Sequence, residues 1–416
     1  MPVYVAGVET PERDTPYVID PAGRDIHGEA ARIRARGPAV RVLLPGGVEA
    51  WGVNDLALLR RLLTDPRVSK DPRRHWPPWI NGEIPPDWPM YAWLAVRNML
   101  TAYGADHQRL RRLISSAFTA RRTAALRPRI EKIVAGLLDG FDGRARVDLR
   151  EEYAYPLPIA VICELFGVDD AEAAAEMRYC SSVFFDTSAA PEEVAAAYPR
   201  MVQLLTQLVG DKRKNPGDDL SSALIAARDD DSRLSEEELV STLVLFISAG
   251  HETTVNLLDN AVFTLLTTPG QLALVRTGRA GWDDVVEETL RTEAPVANLP
   301  LRFAVEDIVL DHDVTIRQGD AILGCYLAAG RDPRVHGADA DVFDVTRADK
   351  EHIAFGFGVH HCLGAPLARL EASIALPALF ERYPGMALDA APEEVERLPT
   401  FISNGHRALP VRLRGR

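Results

Sequence analysis

The chain has 416 residues, 47% of them hydrophobic and 26% charged, with a mean hydropathy close to zero. This is the balance of a soluble globular protein with a sizeable core, and it excludes global disorder. With 47 Lys plus Arg against 60 Asp plus Glu, the formal charge of -13 argues against a protein that coats nucleic acid. The longest strongly apolar stretch, Leu239 to Gly250, contains Ser241, Thr242 and Ser248, short of the roughly 18 apolar residues of a membrane-spanning helix. Residues 1–20 lack the basic start and apolar centre of a secretory leader, so the expected location is the cytoplasm, with no membrane anchor. Cys163, Cys180, Cys325 and Cys362 form no CxxC pair and are too sparse for a disulfide scaffold.

In chain order, Val40 to Leu44 and Glu49 to Val53 flank Pro45-Gly46-Gly47 and read as a hairpin. Residues 75–100 hold four of the six tryptophans (Trp76, Trp79, Trp88, Trp93) among five prolines, which prevents a continuous helix. This aromatic stretch reads either as a lid over core or as the wall of an apolar ligand pocket. From Asp106, placed as a helix cap, to about Arg291, helical periodicity dominates: through Phe118, then Ile130 to Leu138, Tyr155 to Phe166, Pro191 to Leu208 and Leu220 to Ala227. Between His107 and Ile130 lie seven arginines and no acid, which predicts a basic patch. Ser235-Glu236-Glu237-Glu238 makes a capping box for a long helix that runs to Leu266 before Pro269. Short β-branched runs return at Ile308 to Leu310, Val314 to Ile316 and Ala321 to Leu323. The expected fold is α+β: mainly α with small β-sheets, in a single domain spanning 1–416.

Four places stand out. In Phe355-Gly356-Phe357-Gly358-Val359-His360-His361-Cys362-Leu363-Gly364, glycines bracket one cysteine. Glycine permits tight turns and close backbone approach to a flat ligand, while Pro366 suits the first turn of a following helix. Cys362 then lies at a helix N-terminus, where the dipole favours thiolate and lowers the pKa, supplying the charged sulfur a haem iron takes as axial ligand. A buried structural cysteine is the plain alternative, and it is the reading for Cys163, Cys180 and Cys325. Zinc fits poorly, because His360 and His361 are adjacent to each other and no second cysteine cluster completes four ligands. Within the long helix, Ala249-Gly250-His251-Glu252-Thr253-Thr254 puts an acid and two threonines in apolar surroundings, costly unless they have partners or work. Ala249 and Gly250 can open a groove for a diatomic ligand, and Glu252 and Thr253 can relay protons through water. A Thr hydroxyl bonded back to a helical carbonyl is the plain alternative. Finally, His107 and Arg111, four apart, share a helix face and suit a carboxylate partner, while Glu288 and Arg291 form a pair three apart.

The cysteine string resembles the haem-ligand loop of the cytochrome P-450 family, Phe-x-x-Gly-x-(Arg or His)-x-Cys-x-Gly, with Phe355, Gly358, His360, Cys362 and Gly364 in its fixed places. Ala249 to Thr253 is similar to that family's (Ala or Gly)-Gly-x-(Asp or Glu)-Thr motif, and Glu288 and Arg291 to its Glu-x-x-Arg pair. Gly330-Arg331-Asp332-Pro333 also looks familiar, except that related chains commonly carry Asn where Gly330 stands. The resemblance extends from the hairpin near residue 40 to a final strand around Leu413, and in style the chain looks like actinobacterial secondary-metabolite members.

The resemblance implies a cytochrome P-450 fold with the long helix over the cofactor, haem b, and Cys362 as axial ligand of its iron. His107, Arg111, Arg302 and His360 are then implied as propionate ligands, with Ala249, Gly250, Phe355, Gly356 and Gly364 against the cofactor. Glu252 and Thr253 are implied as the proton-delivery pair, favouring oxygen activation by reduced cofactor over a purely peroxide-driven enzyme. Glu288 and Arg291 are implied as a structural pair. Family topology further suggests a substrate pocket of Met90, Trp93, Leu94, Phe184, Phe185, Ile247, Ala249, Val296, Ala297, Asn298, Leu299, Phe401 and Ile402, each of which equally reads as core packing. The implied function is a haem-thiolate monooxygenase that uses O2 and two electrons from a ferredoxin with its NAD(P)H-linked reductase, or from a flavin donor. It would hydroxylate or epoxidise a bulky hydrophobic small molecule of macrolide, polyketide, steroid or cyclic-peptide type. Oxidative C–C or C–N coupling on the same fold and a non-catalytic haem-binding protein are the alternatives.

Overall fold

A computed structural model of the chain describes residues 15–168, 170–185, 190–229, 232–310 and 314–413. Its axis is the long helix Glu236–Thr267, 32 residues capped by Ser235, whose side chain accepts from the Glu238 N–H while Glu238 reaches back to the Ser235 N–H. At about 1.5 Å per residue it runs roughly 48 Å, and most of its length is buried. Helices Pro156–Phe166, Ala171–Phe185, Pro191–Lys214, Trp282–Thr292 and Ala365–Arg382 pack around it. Among the described residues, no helix is long and apolar enough to cross a membrane.

The largest sheet has six strands in the order Tyr17–Val18, Ala39–Leu44, Val48–Val53, Ala321–Cys325, Asn298–Ala304, Val68–Ser69. The hairpin Ala39–Leu44/Val48–Val53 is antiparallel, with Arg41 opposite Trp51. Gly46 and Gly47 turn it at φ near +77°, in the left-handed region. Strand Asn298–Ala304 is buried along nearly its whole length and so shows no alternation to read. Ile308–Val309 pairs with Thr315–Ile316 as a small separate ribbon; the Asp-His-Asp turn between them, 311–313, lies outside the described residues.

The aromatic stretch breaks into short helices, Pro72–His75, Pro77–Ile80 and Tyr91–Ala95. Trp88 Nε1 donates to the Pro45 carbonyl at 2.7 Å, Trp76 stacks on Phe303 at 5.2 Å, and Trp79 stacks on Tyr91 at 4.8 Å. It is therefore a cover clamped onto the hairpin and sheet.

Two expectations are corrected. Asp106 is not a cap: the helix is Gly104–Ala117, its N-cap is Tyr103, and Asp106 lies in the first turn. Nor are the arginines of 109–129 all free, because four of the seven pair with acids, three of them from other segments. Arg109 pairs with Glu238, Arg122 with Asp218, Arg127 with Glu131 and Arg129 with Glu164.

The Glu288–Arg291 pair is fully buried, with bonds of 2.8 Å and 2.6 Å. Arg291 also donates to the carbonyls of Gly330, Ala340 and Val342, and Glu288 accepts from the Asp344 N–H, so the pair ties the segment before the cysteine loop to its helix. A Cβ at Gly330 would stand 2.2 Å from the Arg291 carbonyl oxygen, which explains why this chain carries glycine there.

Candidate active site

The cysteine loop is shaped by its glycines. Gly356 and Gly358 sit at φ +68° and +70°, and a Cβ on Gly358 would approach the Leu63 carbonyl oxygen to 2.6 Å. The Cys362 N–H donates to the Phe355 carbonyl at 2.9 Å and the His361 N–H to that of Gly358 at 3.0 Å. Helix Ala365–Arg382 follows with Pro366 in its first turn. Cys362 opens onto a cavity that is partly open to solvent.

The opposite wall of that cavity is the long helix, through Leu245, Phe246, Ala249, Gly250, Thr253, Thr254 and Leu257. The expected residues His107, Arg111, Val296, Leu299, Phe355, Gly356, His360 and Gly364 line it too. Thr253 bonds back, its Oγ1 donating to the Ala249 carbonyl at 2.5 Å. Glu252 turns away from the cavity. Its Oε1 accepts from Arg150 Nη2 at 2.7 Å, while Oε2 has no partner. Burial pushes its carboxyl above the usual range despite Arg150 and the Tyr155 hydroxyl.

Other expected pocket residues stand apart from the lining. Met90 and Leu94 are buried with Phe401 and Ile402 in the core beneath the sheet, and Trp93 packs against them. Ile247 is in the helical core and Ala297 in a small cluster with Ile26 and Leu327. The Asn298 side chain donates to the Phe401 carbonyl at 2.7 Å. Phe184 and Phe185 end helix Ala171–Phe185, and their side chains lie outside the described residues.

At one edge, the structure gathers positive groups without an acid. The His107 and His360 rings are 4.1 Å apart, Arg111 lies on the His107 helix, and Arg302 bonds the hydroxyl of Tyr326, whose ring lines the cavity. Lys70, missed in the sequence, joins them, 2% exposed. Burial, with Arg111 and Arg302 close by, lowers His107 to about 4. Burial and the surrounding Arg302, His107, Lys70 and Arg111 likewise depress His360. Burial, then Arg302, puts Lys70 well below its ordinary value, and His107 Nε2 has no partner. This crowd of buried donors calls for a ligand with carboxylates, which would relieve every one of those shifts.

Among the described residues, no three His, Cys, Asp or Glu side chains gather as a metal-binding set, and Cys362 stands in the cavity without a companion ligand, an arrangement compatible with an axial site. Its thiol is pushed up, not down. Cys362 is open to the cavity, yet desolvation by the surrounding protein outweighs the Gly364 and Ala365 N–H groups and Arg111, so the helix terminus alone does not make a thiolate. A metal ion displaces a thiol proton outright. Cys163, Cys180 and Cys325 are buried with thiols raised to about 11, 11 and 12. The donor set, the two-carboxylate cradle and the slot between loop and long helix fit haem b.

Sequence reading also missed Arg150, Met99, Leu100 and Glu371. Arg150 in Asp-Leu-Arg-Glu-Glu looks like solvated charge, and the last three carry no local signal.

Comparison with known proteins agrees. The cytochrome P450 family profile matches residues 282–397. The chain is 46% identical over 404 residues to a 2-hydroxy-5-methyl-1-naphthoate 7-hydroxylase of Streptomyces carzinostaticus, covering 96% of this chain and 98% of that one. It is 43% identical over 389 residues to the cytochrome P450 monooxygenase PikC of Streptomyces venezuelae, covering 92% and 90%. The solved structure of CYP154A1 from Streptomyces coelicolor A3(2) superposes with a TM-score of 0.89 at 53% identity, covering 95% of this chain and all of that one. The chain belongs to the cytochrome P450 family, whose cofactor is haem b.

Proposed function

We propose that this chain, acting as one domain in the cytoplasm, is a haem-thiolate monooxygenase that hydroxylates or epoxidises a bulky hydrophobic small molecule. The observation that carries the reading is the placement of Cys362, the buried cationic cluster and the Ala249–Thr253 segment around one cavity. When bound, haem b supplies the activation of O2 with two electrons that inserts one oxygen atom into a C–H or C=C bond.

The protein's own residues bind, orient and deliver protons. Cys362 Sγ would hold the iron, and the N–H groups of Gly364 and Ala365, which bond the sulfur, would temper its charge. Lys70, His107, Arg111, Arg302 and His360 would hold the two propionates of bound haem. Met99, Leu100, Leu245, Val296 and Leu299 give the open part of the cavity an apolar wall, which suits a neutral polyketide-like, macrolide or steroid skeleton. Thr253 Oγ1, facing the cavity, hands on a proton once its bond to the Ala249 carbonyl is exchanged for water. Glu252, whose carboxyl burial raises above its ordinary value, is the acid behind it. P450 monooxygenases draw electrons from a redox partner; here we propose a ferredoxin with its reductase, or a flavin donor, docking on the Cys362 side.

The test is the absorption spectrum of the reduced protein under carbon monoxide. A thiolate opposite CO moves the Soret band far to the red, and the shift should vanish in Cys362→Ala. A histidine-type band in fresh protein would overturn the assignment. Turnover with a surrogate ferredoxin under labelled O2 then separates insertion from coupling, since only insertion leaves label in the product.

A further inference from the structure

Glu252 is a buried acid that faces away from the cavity, so a proton for it has to cross the wall behind it. Most of that wall is shut. Arg150, Asn256, Asp259 and His406, which make up the polar network around the carboxylate, are each at most 1% exposed. Among the described residues the open member is Tyr155, the N-cap of helix Pro156–Phe166, which is only partly buried. The guanidinium that holds Glu252 Oε1 at 2.7 Å also lies over the Tyr155 ring, 4.9 Å from its centre. On the solvent side Arg178 stands 5.4 Å from the same ring and pairs with the exposed Glu151. The backbone is tied as well: the His251 ring, neighbour in sequence to Glu252, donates from Nε2 to the Tyr155 carbonyl at 3.0 Å, and burial keeps that imidazole neutral by lowering it to about 4.

Burial, then Glu252, raises the Tyr155 phenol above its ordinary value, so it stays neutral. Its hydroxyl in turn favours the ionised form of Glu252, whose Oε2 has no other partner. We infer that Tyr155 is the relay through which Glu252 is recharged from solvent: the phenol oxygen takes a proton from water as its own proton passes to Glu252 Oε2, and the phenol ends as it began. Protonation also weakens the charge-assisted bond to Arg150, whose charge Asp259 still balances, so a loaded Glu252 is released to turn toward Thr253. The inference rests on the reading of Glu252 as the acid behind Thr253.

Infrared spectroscopy of the haem-loaded protein at acid pH, without substrate, tests it on the carboxyl itself. The carboxylic-acid C=O band missing from Glu252→Gln belongs to Glu252. On rapid mixing into D2O, that band should shift severalfold more slowly in Tyr155→Phe than in the parent, because the variant keeps the ring between the two guanidiniums and loses only the hydroxyl. Tyr153→Phe is the control: its hydroxyl donates to the Ala375 carbonyl at 2.7 Å, outside the network, so the change should lower the melting temperature and leave the exchange rate alone. Exchange as fast or faster in Tyr155→Phe, or slowed equally in Tyr153→Phe, overturns the inference and leaves the role of Glu252 standing. That role falls separately, and the relay's purpose with it, if Glu252→Gln releases no more peroxide per NAD(P)H than the parent.

Discussion

Arg150 and Glu252 form a fully buried ion pair, 2.7 Å from Nη2 to Oε1, across the wall of the long helix. Arg150 reaches it from a π-helical turn, Arg150–Ala154, that precedes helix Pro156–Phe166. The same guanidinium donates through Nη1 to Asn256 at 2.9 Å and to Asp259 at 3.1 Å, and Asp259 Oδ2 accepts from the His406 backbone N–H at 2.7 Å. Arg150→Ala therefore leaves the buried Glu252 carboxylate without its charge partner, while Asp259 keeps His406, and the expected cost is about 3–5 kcal/mol of stability, measured by denaturant unfolding. Glu252→Gln should cost far less, because Asp259 still neutralises Arg150. Its signature belongs in turnover, with more peroxide released per NAD(P)H consumed and an unchanged CO spectrum.

Lys70 should give effects of opposite sign in two measurements. In haem-free protein it is a buried cation beside Arg302, so Lys70→Met should raise the melting temperature. In the loaded enzyme the same variant loses one charge-assisted contact to a propionate, roughly 1.5–3 kcal/mol or about 10–100-fold in haem affinity. Haem transfer to apomyoglobin reads the second effect. A melting temperature that falls in both forms would show that Lys70 is structural.

Glu371 faces the cavity from helix Ala365–Arg382, 2% exposed, with Oε2 unpartnered. Burial alone raises its carboxyl from 4.5 to about 8. Below about pH 4.5 both folded and unfolded chains carry this proton and no penalty applies. Between 4.5 and 8 only the folded chain retains it, so this group's contribution to stability falls as pH rises, and above 8 the loss is complete. Glu371→Gln should flatten that slope, gaining on the parent most at pH 8.5 and least near pH 5 in parallel unfolding titrations.

Gly330→Asn would introduce the residue that the family resemblance leads one to expect, yet here its Cβ meets the Arg291 carbonyl oxygen. The expected cost lies at the upper end of the roughly 1–3 kcal/mol of overpacking, with weakened haem retention because the Glu288–Arg291 anchor shifts. Thermal melts and the haem-to-protein absorbance ratio check both parts.

Legibility differed by the range of the interactions involved. The hairpin, the capping box at Ser235 and the Gly-bracketed cysteine depend on neighbours in sequence, and they could be read directly. Strand Asn298–Ala304 could not, because it is buried on both faces and its pattern is uniform. The propionate cradle was visible where His107 and Arg111 share a helix face, but Lys70 joins it from an extended segment with no periodic signature. The partners of Arg109, Arg122 and Arg129 come from 35 to 129 residues away, so a local charge run predicted a patch that tertiary pairing partly neutralises. The pocket wall assigned to Met90, Leu94, Phe401 and Ile402 consists of apolar side chains whose burial does not reveal which surface they cover.

The cover clamped by Trp88 also decides what light the protein emits. Trp76, Trp79, Trp88 and Trp93 sit in that cover, and Trp51 lies on the sheet beneath, its Nε1 donating to Asp320 at 2.9 Å. Trp282 alone belongs to the helical body, against Phe380 at 5.4 Å. Intrinsic fluorescence is therefore a report from the sheet side, whereas far-ultraviolet dichroism is dominated by the helices. In Trp282→Phe the separation becomes complete, and any interval between the two unfolding curves measures how independently the cover detaches from the body.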